Sequence, residues 1–211
     1  MTQLYGLYGI TDSELLPNDE ALLDSVQKAL EGGMRILQYR DKSSDTTRRL
    51  RQAKALVALC HQHNAVLLIN DDVELAKLSG ADGVHLGQGD GSPSQARAAL
   101  GAQAIIGVTC HDQLELAQEA AAQGADYVAF GAFFPSKTKP NAKPAPLELL
   151  HTAQQEINAP VVAIGGITVD NAHQVIDAGA QMIAVVHALF AAADITAQAR
   201  AFNQTFNRIE D

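Results

Sequence analysis

Residues 65–86 read AVLLINDDVELAKLSGADGVHL, and this stretch contains one complete unit of the fold. It begins with an apolar run, Ala65–Ile69, and ends with another, Gly83–Leu86. Continuous apolar runs indicate strands that are buried on both faces, as in a parallel sheet. The connection between them, about Val73–Ser79, is short, and Gly80 supplies the left-handed turn that ends a helix. We therefore predict a strand, a short helix and a second, parallel strand.

The same alternation of strand and helix recurs along the chain. Eight apolar runs are separated by segments with helical periodicity, and most runs are followed by polar residues or glycine. Eight such units in 211 residues predict an α/β fold of the (β/α)8 TIM-barrel type, in one domain over residues 1–211. A doubly wound sheet is the alternative, but it rarely needs so many units in so short a chain. The runs are Leu4–Ile10, Arg35–Tyr39, Ala65–Ile69, Gly83–Leu86, Ala104–Val108, Tyr127–Phe130, Val161–Ile164 and Met182–Val186.

Several helix ends carry local signals. A helix is predicted over 19–31, with Asn18 as its N-cap and Gly32 at its end. Asp112 followed by Glu115 resembles a capping arrangement that opens another helix. Because these signals fall between the apolar runs, they support the alternation of strand and helix.

Composition excludes several functional classes. The 15 basic and 24 acidic residues give a net charge of −9, which is opposite in sign to that of a typical nucleic-acid binder. Cys60 and Cys110 lie far apart in sequence, without the spacing of a zinc site or a disulfide scaffold. No secretory signal is visible, and the longest apolar stretch, Met182–Ala193, is too short to span a bilayer. We expect a soluble, cytoplasmic protein without a membrane or nucleic-acid partner.

The end of the second run carries two cations and an amide. Strand alternation places Gln38, Arg40 and Lys42 on the same side. Arginine binds an anion as a fork and lysine binds it as a point charge. The run therefore indicates an anion site at the carboxyl end of the barrel, although a solvated strand end gives the same pattern.

Acidic residues follow the third and fourth runs. Asp71 and Asp72 come directly after the third run, and Asp90 follows the fourth. Mg²⁺ is held by one or two carboxylates together with water and substrate phosphate, so these residues suit a diphosphate site. Either Asp71 or Asp72 can instead cap the next helix.

Two later loops suit phosphate groups. Pro135–Lys143 contains three lysines and no acidic residue, and its hydroxyls alternate with lysines. Gly165 and Gly166 follow the seventh run, where barrels often bind phosphate through backbone N–H groups.

No residue has the context of a nucleophile. The central strands contain no lysine for a Schiff base, and no Gly-x-Ser-x-Gly motif is present. We interpret His85 as a hydrogen-bonded core residue and Cys110 as a small buried one. The roles of His111 and His187 stay open. The site is therefore expected to hold phosphates and a metal.

Together these residues resemble the thiamine-phosphate synthase family over nearly the whole chain. The resemblance implies a (β/α)8 transferase that joins hydroxymethylpyrimidine diphosphate to hydroxyethylthiazole phosphate and releases pyrophosphate. It implies Mg²⁺ as cofactor and a dissociative reaction, in which a pyrimidinylmethyl cation forms before the thiazole nitrogen attacks. The stretches that carry it are Tyr8–Asp12, Gln38–Lys42, Asn70–Asp72, Gly83–Gln88, Ser136–Lys139 and Gly165–Ile167.

The resemblance also implies roles for individual residues. Magnesium would be held by Asp71 and Asp90. The pyrimidine diphosphate would contact Gln38, Tyr39, Arg40, Asp41, Lys42, Asn70, Thr109 and Lys139. The thiazole phosphate would contact Ser136, Lys137, Thr138, Gly166, Val186 and His187.

Three positions depart from the usual family pattern. Thr109 and Ser136 exchange serine and threonine and keep the hydroxyl. His187 stands where a serine is usual, so either its imidazole or the backbone N–H would contact the thiazole phosphate there.

Two related barrels are alternatives. A thiazole tautomerase, an isomerase, carries a catalytic histidine after the sixth strand, where this chain has Gly131-Ala132. A non-catalytic thiazole-phosphate-binding regulatory barrel has no need of Asp71 and Asp90. The partners expected are small-molecule substrates, and a homo-oligomer remains open.

Overall fold

A computed structural model of the chain describes residues 4–135 and 144–207. Eight parallel strands pair in sequence order, and β8 pairs with β1, which closes the sheet into a barrel. The predicted (β/α)8 barrel is therefore confirmed. The strands are β1 Gly6–Ile10, β2 Ile36–Tyr39, β3 Val66–Asn70, β4 Gly83–Leu86, β5 Ile105–His111, β6 Tyr127–Gly131, β7 Val161–Ile164 and β8 Met182–Val185.

Helices connect the strands and cover the outside of the barrel. The last helix packs against the first, so the ring of helices also closes beside the β1–β8 contact. None of the helices in the described ranges is long and apolar enough to cross a membrane. The helices are α1 Asp19–Glu31, α2 Thr46–Gln62, α3 Val73–Ser79, α4 Pro93–Leu100, α5 Leu114–Ala122, α6 Glu148–Glu156, α7 Ala172–Asp177, α8 His187–Phe190 and α9 Ile195–Thr205.

Strand alternation divides the buried residues into two layers. One set packs between the sheet and the helices, and the other fills the inside of the barrel. The interior set includes two tyrosines, Tyr8 and Tyr127, both almost completely buried. Because a buried hydroxyl needs a hydrogen-bond partner, these tyrosines bring polar groups into the centre of the barrel.

Gly107 makes room for one of these tyrosines. Gly107 on β5 is the register partner of both His85 on β4 and Tyr127 on β6. A Cβ atom at Gly107 would overlap the ring of Tyr127. Since no side chain stands between them, the His85 and Tyr127 rings stack with their centroids 5.6 Å apart.

Most local predictions are confirmed, and one helix-end detail, the cap at Asp112, is wrong. The helix over 19–31 forms as predicted, and the Asn18 side chain accepts a hydrogen bond from the Ala21 N–H at 2.9 Å. Gly32 is its C-cap in a right-handed conformation, and the left-handed turn falls at Gly33, with φ of 96°. Asp112 caps nothing, because α5 begins after Gln113, which makes no side-chain capping bond.

We expect Gly107→Ala to destabilise the barrel, because the new methyl group would displace the Tyr127 ring from a filled interior. Overpacking of this kind costs about 1–3 kcal/mol. Urea denaturation would measure the loss as a lower midpoint. Gly89→Ala is the matched control, since a Cβ at Gly89 meets no atom within 4 Å. Equal midpoints for the two variants would contradict the prediction.

Candidate active site at the carboxyl ends of the strands

Residues from three neighbouring loops meet in an open cavity of about 520 Å³ at the carboxyl end of the barrel. The loops follow β2, β3 and β4, as the sequence predicts for a site in this fold. The cavity combines carboxylates, cations and an amide. Its lining residues are Asp41, Lys42, Ser43, Arg49, Asn70, Asp71, Asp72, Val73 and Asp90.

Asp71 and Asp72 have separate functions. Asp72 is the N-cap of α3: its carboxylate accepts a hydrogen bond from the Leu75 N–H at 2.9 Å and pairs with Arg49 at 2.9 Å. Asp71 has a left-handed backbone, with φ of 64°, and its N–H donates to the His85 carbonyl at 2.8 Å. Because Asp72 provides the cap, the Asp71 carboxylate is available to the cavity.

Asp90 faces Asp71 across Gly87. The Asp90 Oδ2 atom accepts a hydrogen bond from the Gly87 N–H at 3.0 Å. A Cβ at Gly87 would lie 2.6 Å from Asp90 Oδ2 and 3.9 Å from Asp71 Oδ1, so only glycine leaves both carboxylates facing the cavity. Partial burial, followed by the contact and repulsion with Asp71, raises the pKa of Asp90.

The two carboxylates form a donor set that fits a hard divalent cation. Within residues 4–135 and 144–207, no cluster of three or more His, Cys, Asp or Glu side chains forms a metal site. Mg²⁺ does not require such a cluster, because it binds through one or two carboxylates and completes its shell with water and phosphate. A cation between Asp71 and Asp90 would also relieve their repulsion.

A cation and an amide lie beside the carboxylates. The Lys42 Nζ atom is 3.4 Å from Asp71 Oδ2, and the Asn70 side-chain NH₂ donates to the same oxygen at 2.5 Å. The Thr11 hydroxyl accepts from the Arg40 N–H at 2.8 Å, which ties the end of β1 to the end of β2. The predicted grouping of Lys42 with Asn70, Asp71 and Asp90 is thus present in the structure.

Tyr39 and Asp41 both interact with side chains of α2. The Tyr39 hydroxyl donates to Gln52 Oε1 at 2.6 Å, and the Asp41 carboxylate pairs with Arg48 at 2.7 Å. Burial opposes ionisation of Asp41, but hydrogen bonds from Ser43 and Arg48 outweigh it and lower the pKa of this carboxyl group. Asp41 also lines the cavity, and the substrate contacts expected for Tyr39 and Asp41 stay predictions.

A chain of hydrogen bonds crosses the barrel interior below the cavity. The Gln38 side-chain NH₂ donates to the Tyr8 oxygen at 2.6 Å, and the two tyrosine oxygens are 2.8 Å apart. The Tyr127 oxygen is 2.8 Å from His85 Nδ1. His85 Nε2 is 2.8 Å from the Thr109 hydroxyl, which lies near the carboxyl-end opening of the barrel, here called the mouth. His85 is thus hydrogen-bonded on both nitrogens, as expected for a core residue.

Sequence reasoning missed the two tyrosines of this chain of hydrogen bonds. Tyr8 and Tyr127 stand at inward-facing strand positions, and strand alternation could have indicated that much. The contact between Tyr127 and His85 depends on Gly107, and no short-range pattern reveals it. Burial lowers the pKa of His85 to about 4, although the charge of Asp71 acts in the opposite direction.

A β-bulge fixes the position of Thr109. Pairing between β5 and β6 shifts register between Thr109 and His111, so Cys110 is the extra residue. Bulges of this kind redirect side chains at barrel rims. The Cys110 thiol is buried, which raises its pKa to about 12 and leaves it unreactive at neutral pH.

The predicted thiazole-phosphate side is partly described. Gly166 has φ of 64°, and a Cβ there would lie 2.5 Å from the Phe134 carbonyl, so glycine is required where the loops after β6 and β7 meet. Val186 follows β8 and is the N-cap of the short helix that begins at His187, and both residues are half-buried. The predicted contacts Ser136, Lys137, Thr138 and Lys139 lie outside the described residues.

Comparison with known proteins identifies relatives over most of the chain. A sequence profile described as thiamine monophosphate synthase matches residues 7–189. The thiamine-phosphate synthase of Saccharophagus degradans is 59% identical over 185 residues, which are 88% of this chain and 85% of that protein.

Solved structures agree with the sequence comparison. Thiamine phosphate pyrophosphorylase from Pyrococcus furiosus has a TM-score of 0.85 at 34% identity, covering 96% of each chain. A 3-hexulose-6-phosphate synthase has a TM-score of 0.73 at 21% identity, covering 95% of this chain and 99% of its own, and this likeness concerns the fold alone.

The pKa of His85 makes stability depend on pH. The unfolded state binds a proton at this histidine below about pH 6.5, whereas the folded state stays neutral down to about pH 4. Its contribution to stability is therefore present above pH 6.5 and is lost as the pH falls towards 4. Between pH 7 and pH 4.5 we expect the wild type to lose about 2 kcal/mol more than His85→Gln in the free energy of unfolding.

Urea titrations of both proteins at the two pH values would measure this difference. Carboxylates titrate in both proteins, so their contribution cancels in the comparison. The same pH dependence in both proteins would contradict the prediction.

Proposed function

The chain belongs to the thiamine-phosphate synthase family and is a transferase of thiamine biosynthesis, and we propose that it joins hydroxymethylpyrimidine diphosphate to hydroxyethylthiazole phosphate. The products are thiamine phosphate and pyrophosphate. The observation that supports this reaction best is the pair of carboxylates, Asp71 and Asp90, that face each other across Gly87 beside Lys42. Two carboxylates and a cation at the carboxyl end of the barrel suit a diphosphate group with a bound metal ion.

Magnesium is the metal that this donor set favours. Asp71 and Asp90 would hold it, with water and diphosphate oxygens completing the shell. When bound, Mg²⁺ neutralises negative charge on the diphosphate and so makes it a better leaving group. Lys42, which lines the cavity, would add positive charge, and we assign Arg40 to the diphosphate on the family resemblance.

A dissociative reaction fits the absence of an activated nucleophile among the described residues at the mouth. The bond between the pyrimidine methylene carbon and the diphosphate oxygen breaks, and its electron pair leaves with the diphosphate. The resulting pyrimidinylmethyl cation is then attacked by the thiazole nitrogen. Negative charge therefore grows on the departing diphosphate, where Arg40, Lys42 and the Thr109 hydroxyl stabilise it electrostatically.

The remaining contacts are assigned by position. We assign Gln38 and Asn70 to the pyrimidine on the family resemblance, and the backbone of Gly166 would contact the thiazole phosphate. We assign Lys139 to the diphosphate, and the hydroxyls of Ser136 and Thr138 with Lys137 to the thiazole phosphate, on the family resemblance. Val186 and His187 complete that side. Phosphorylated substrates do not cross membranes unaided, which favours a cytoplasmic location.

The end of β6 does not suit the tautomerase alternative. A Cβ at Gly131 would overlap the backbone carbonyl of Ile164 on β7, and the next residue is alanine. No imidazole is therefore available at this position. The carboxylate pair, which neither a tautomerase nor a regulatory barrel needs, also favours the synthase.

A product assay tests the proposed reaction. The purified protein is mixed with hydroxymethylpyrimidine diphosphate and hydroxyethylthiazole phosphate, with either Mg²⁺ or EDTA, and thiamine phosphate is followed by chromatography. We expect product with Mg²⁺ and none with EDTA. No product from folded protein would overturn the proposed reaction, and equal product in EDTA would overturn its magnesium dependence.

Asp71→Asn is expected to reduce turnover by at least about a hundredfold, because it removes one metal-binding charge. Asparagine tolerates the left-handed backbone at this position, so the substitution changes charge with little strain. Steady-state kinetics over a range of Mg²⁺ concentrations would measure the loss. Asp24→Asn, at an exposed i,i+4 pair on α1, is the matched control. Near-normal turnover at saturating Mg²⁺ would remove Asp71 from the proposed site.

His187→Ser is expected to keep or lower the KM for the thiazole phosphate. The substitution restores the residue that is usual in the family and leaves the backbone N–H in place. Measuring KM with the pyrimidine diphosphate held at saturation tests this. A rise in KM of tenfold or more would instead show that the imidazole itself binds the phosphate.

A further inference from the structure

We infer that the buried chain from Gln38 through Tyr8, Tyr127 and His85 fixes the direction of the hydrogen bond at Thr109, so that the Thr109 hydroxyl can only donate towards the mouth. The inference rests on the proposed function in one respect, namely that an anionic diphosphate occupies the mouth. Tyr127 and His85 are then positioning residues, which act on the substrate through Thr109.

Counting protons sets the direction of the chain. The Gln38 NH₂ donates to the Tyr8 oxygen, so the Tyr8 proton points to its other neighbour, the Tyr127 oxygen. The Tyr127 proton must then point to His85 Nδ1, which accepts it. A neutral imidazole with an accepting Nδ1 carries its proton on Nε2. His85 Nε2–H therefore donates to the Thr109 oxygen.

Burial keeps this direction from reversing. Gln38, Tyr8, Tyr127 and His85 are each at most 7% exposed, so solvent offers them little competing hydrogen bonding. Tyr8 and Tyr127 meet edge to face at an interplanar angle of 83°, and the Tyr127 ring fills the space left by Gly107. The rings are held by packing, and the chain spans five strands of the barrel.

The consequence lies at Thr109. A free hydroxyl can donate or accept, and one that donated to His85 would present only lone pairs to an anion. Because Nε2–H already donates to Thr109, its own proton is left for the mouth, where a phosphate oxygen accepts it. Charge-assisted bonds of this type are about twice as strong as neutral ones. The donor is oriented before the substrate binds, as electrostatic catalysis requires.

A double-mutant cycle tests this coupling. Thr109→Val is expected to lower kcat by about a hundredfold, and Tyr127→Phe by about tenfold, since the hydroxyl can then turn towards His85. The double variant should be no slower than Thr109→Val, because Tyr127 acts through Thr109. Thr109→Ser should retain most of the wild-type kcat. Independent, multiplying losses in the double variant would overturn the inference.

Thr205→Val is the matched control for loss of a buried hydroxyl. Thr205 ends α9 and donates to the Phe202 carbonyl at 2.6 Å, away from the mouth. We expect its kcat to stay within about twofold of the wild type. A loss comparable to that of Thr109→Val would mean that general destabilisation explains both variants, and would overturn the inference.

Nitrogen-15 NMR of the wild-type protein gives a readout that does not depend on activity. Long-range spectra distinguish the two neutral imidazole tautomers, and His85→Gln assigns the His85 signals. We expect the proton on Nε2 at pH 7. A proton on Nδ1, or on both nitrogens, would overturn the inference even in an active enzyme. If the wild type makes no thiamine phosphate, the proposed function fails, while the tautomer still decides the direction of the chain.

Discussion

The arrangement at the centre of this barrel depends on one constraint: two buried tyrosine hydroxyls must each have hydrogen-bond partners. Tyr8 and Tyr127 supply much of the volume inside a closed eight-stranded sheet, but each also brings a polar atom that must be paired. Gln38 and His85 provide the pairing, and Gly107 provides the room for it. The interior is thus filled and hydrogen-bonded by the same residues, and the last member of the chain, Thr109, reaches the mouth.

At the mouth, polar residues that are adjacent in sequence have different interactions. Asp72 caps α3 and pairs with Arg49, which leaves Asp71 for the cavity. Asp41 pairs with Arg48 of α2, while Lys42 turns to Asp71. Asp72 and Asp41 thus stabilise the loops, while Asp71 and Lys42 contact each other in the cavity. A site of two acids and a cation can therefore exist in a chain with a net charge of −9 without a general excess of basic residues.

Local patterns in the sequence predicted the barrel and much of the mouth, because strands, glycine turns and strand-end residues depend on neighbours in the chain. The seven-residue helix over Val73–Ser79 has the predicted bounds. Strand alternation places Tyr39 opposite Gln38, and the Tyr39 hydroxyl donates to Gln52 of α2, whereas the substrate contacts that the family resemblance implies for both residues stay predictions. The contact between His85 and Tyr127 could not be predicted, since it depends on an empty position, Gly107, on the strand between them.

The packing that orients Thr109 also makes Cys110 and His85 unreactive. Cys110 is the extra residue of the bulge beside Thr109, and burial raises its pKa until the thiol cannot act as a nucleophile. His85 has both nitrogens engaged, so it has no free lone pair for a substrate proton. The proposed reaction, in which diphosphate leaves first, needs neither group. It needs donors and cations held towards the leaving group while competing nucleophiles are kept away, because a pyrimidinylmethyl cation reacts with whichever nucleophile it meets. A rigid interior that directs Thr109 outwards and buries Cys110 meets both requirements with one set of contacts.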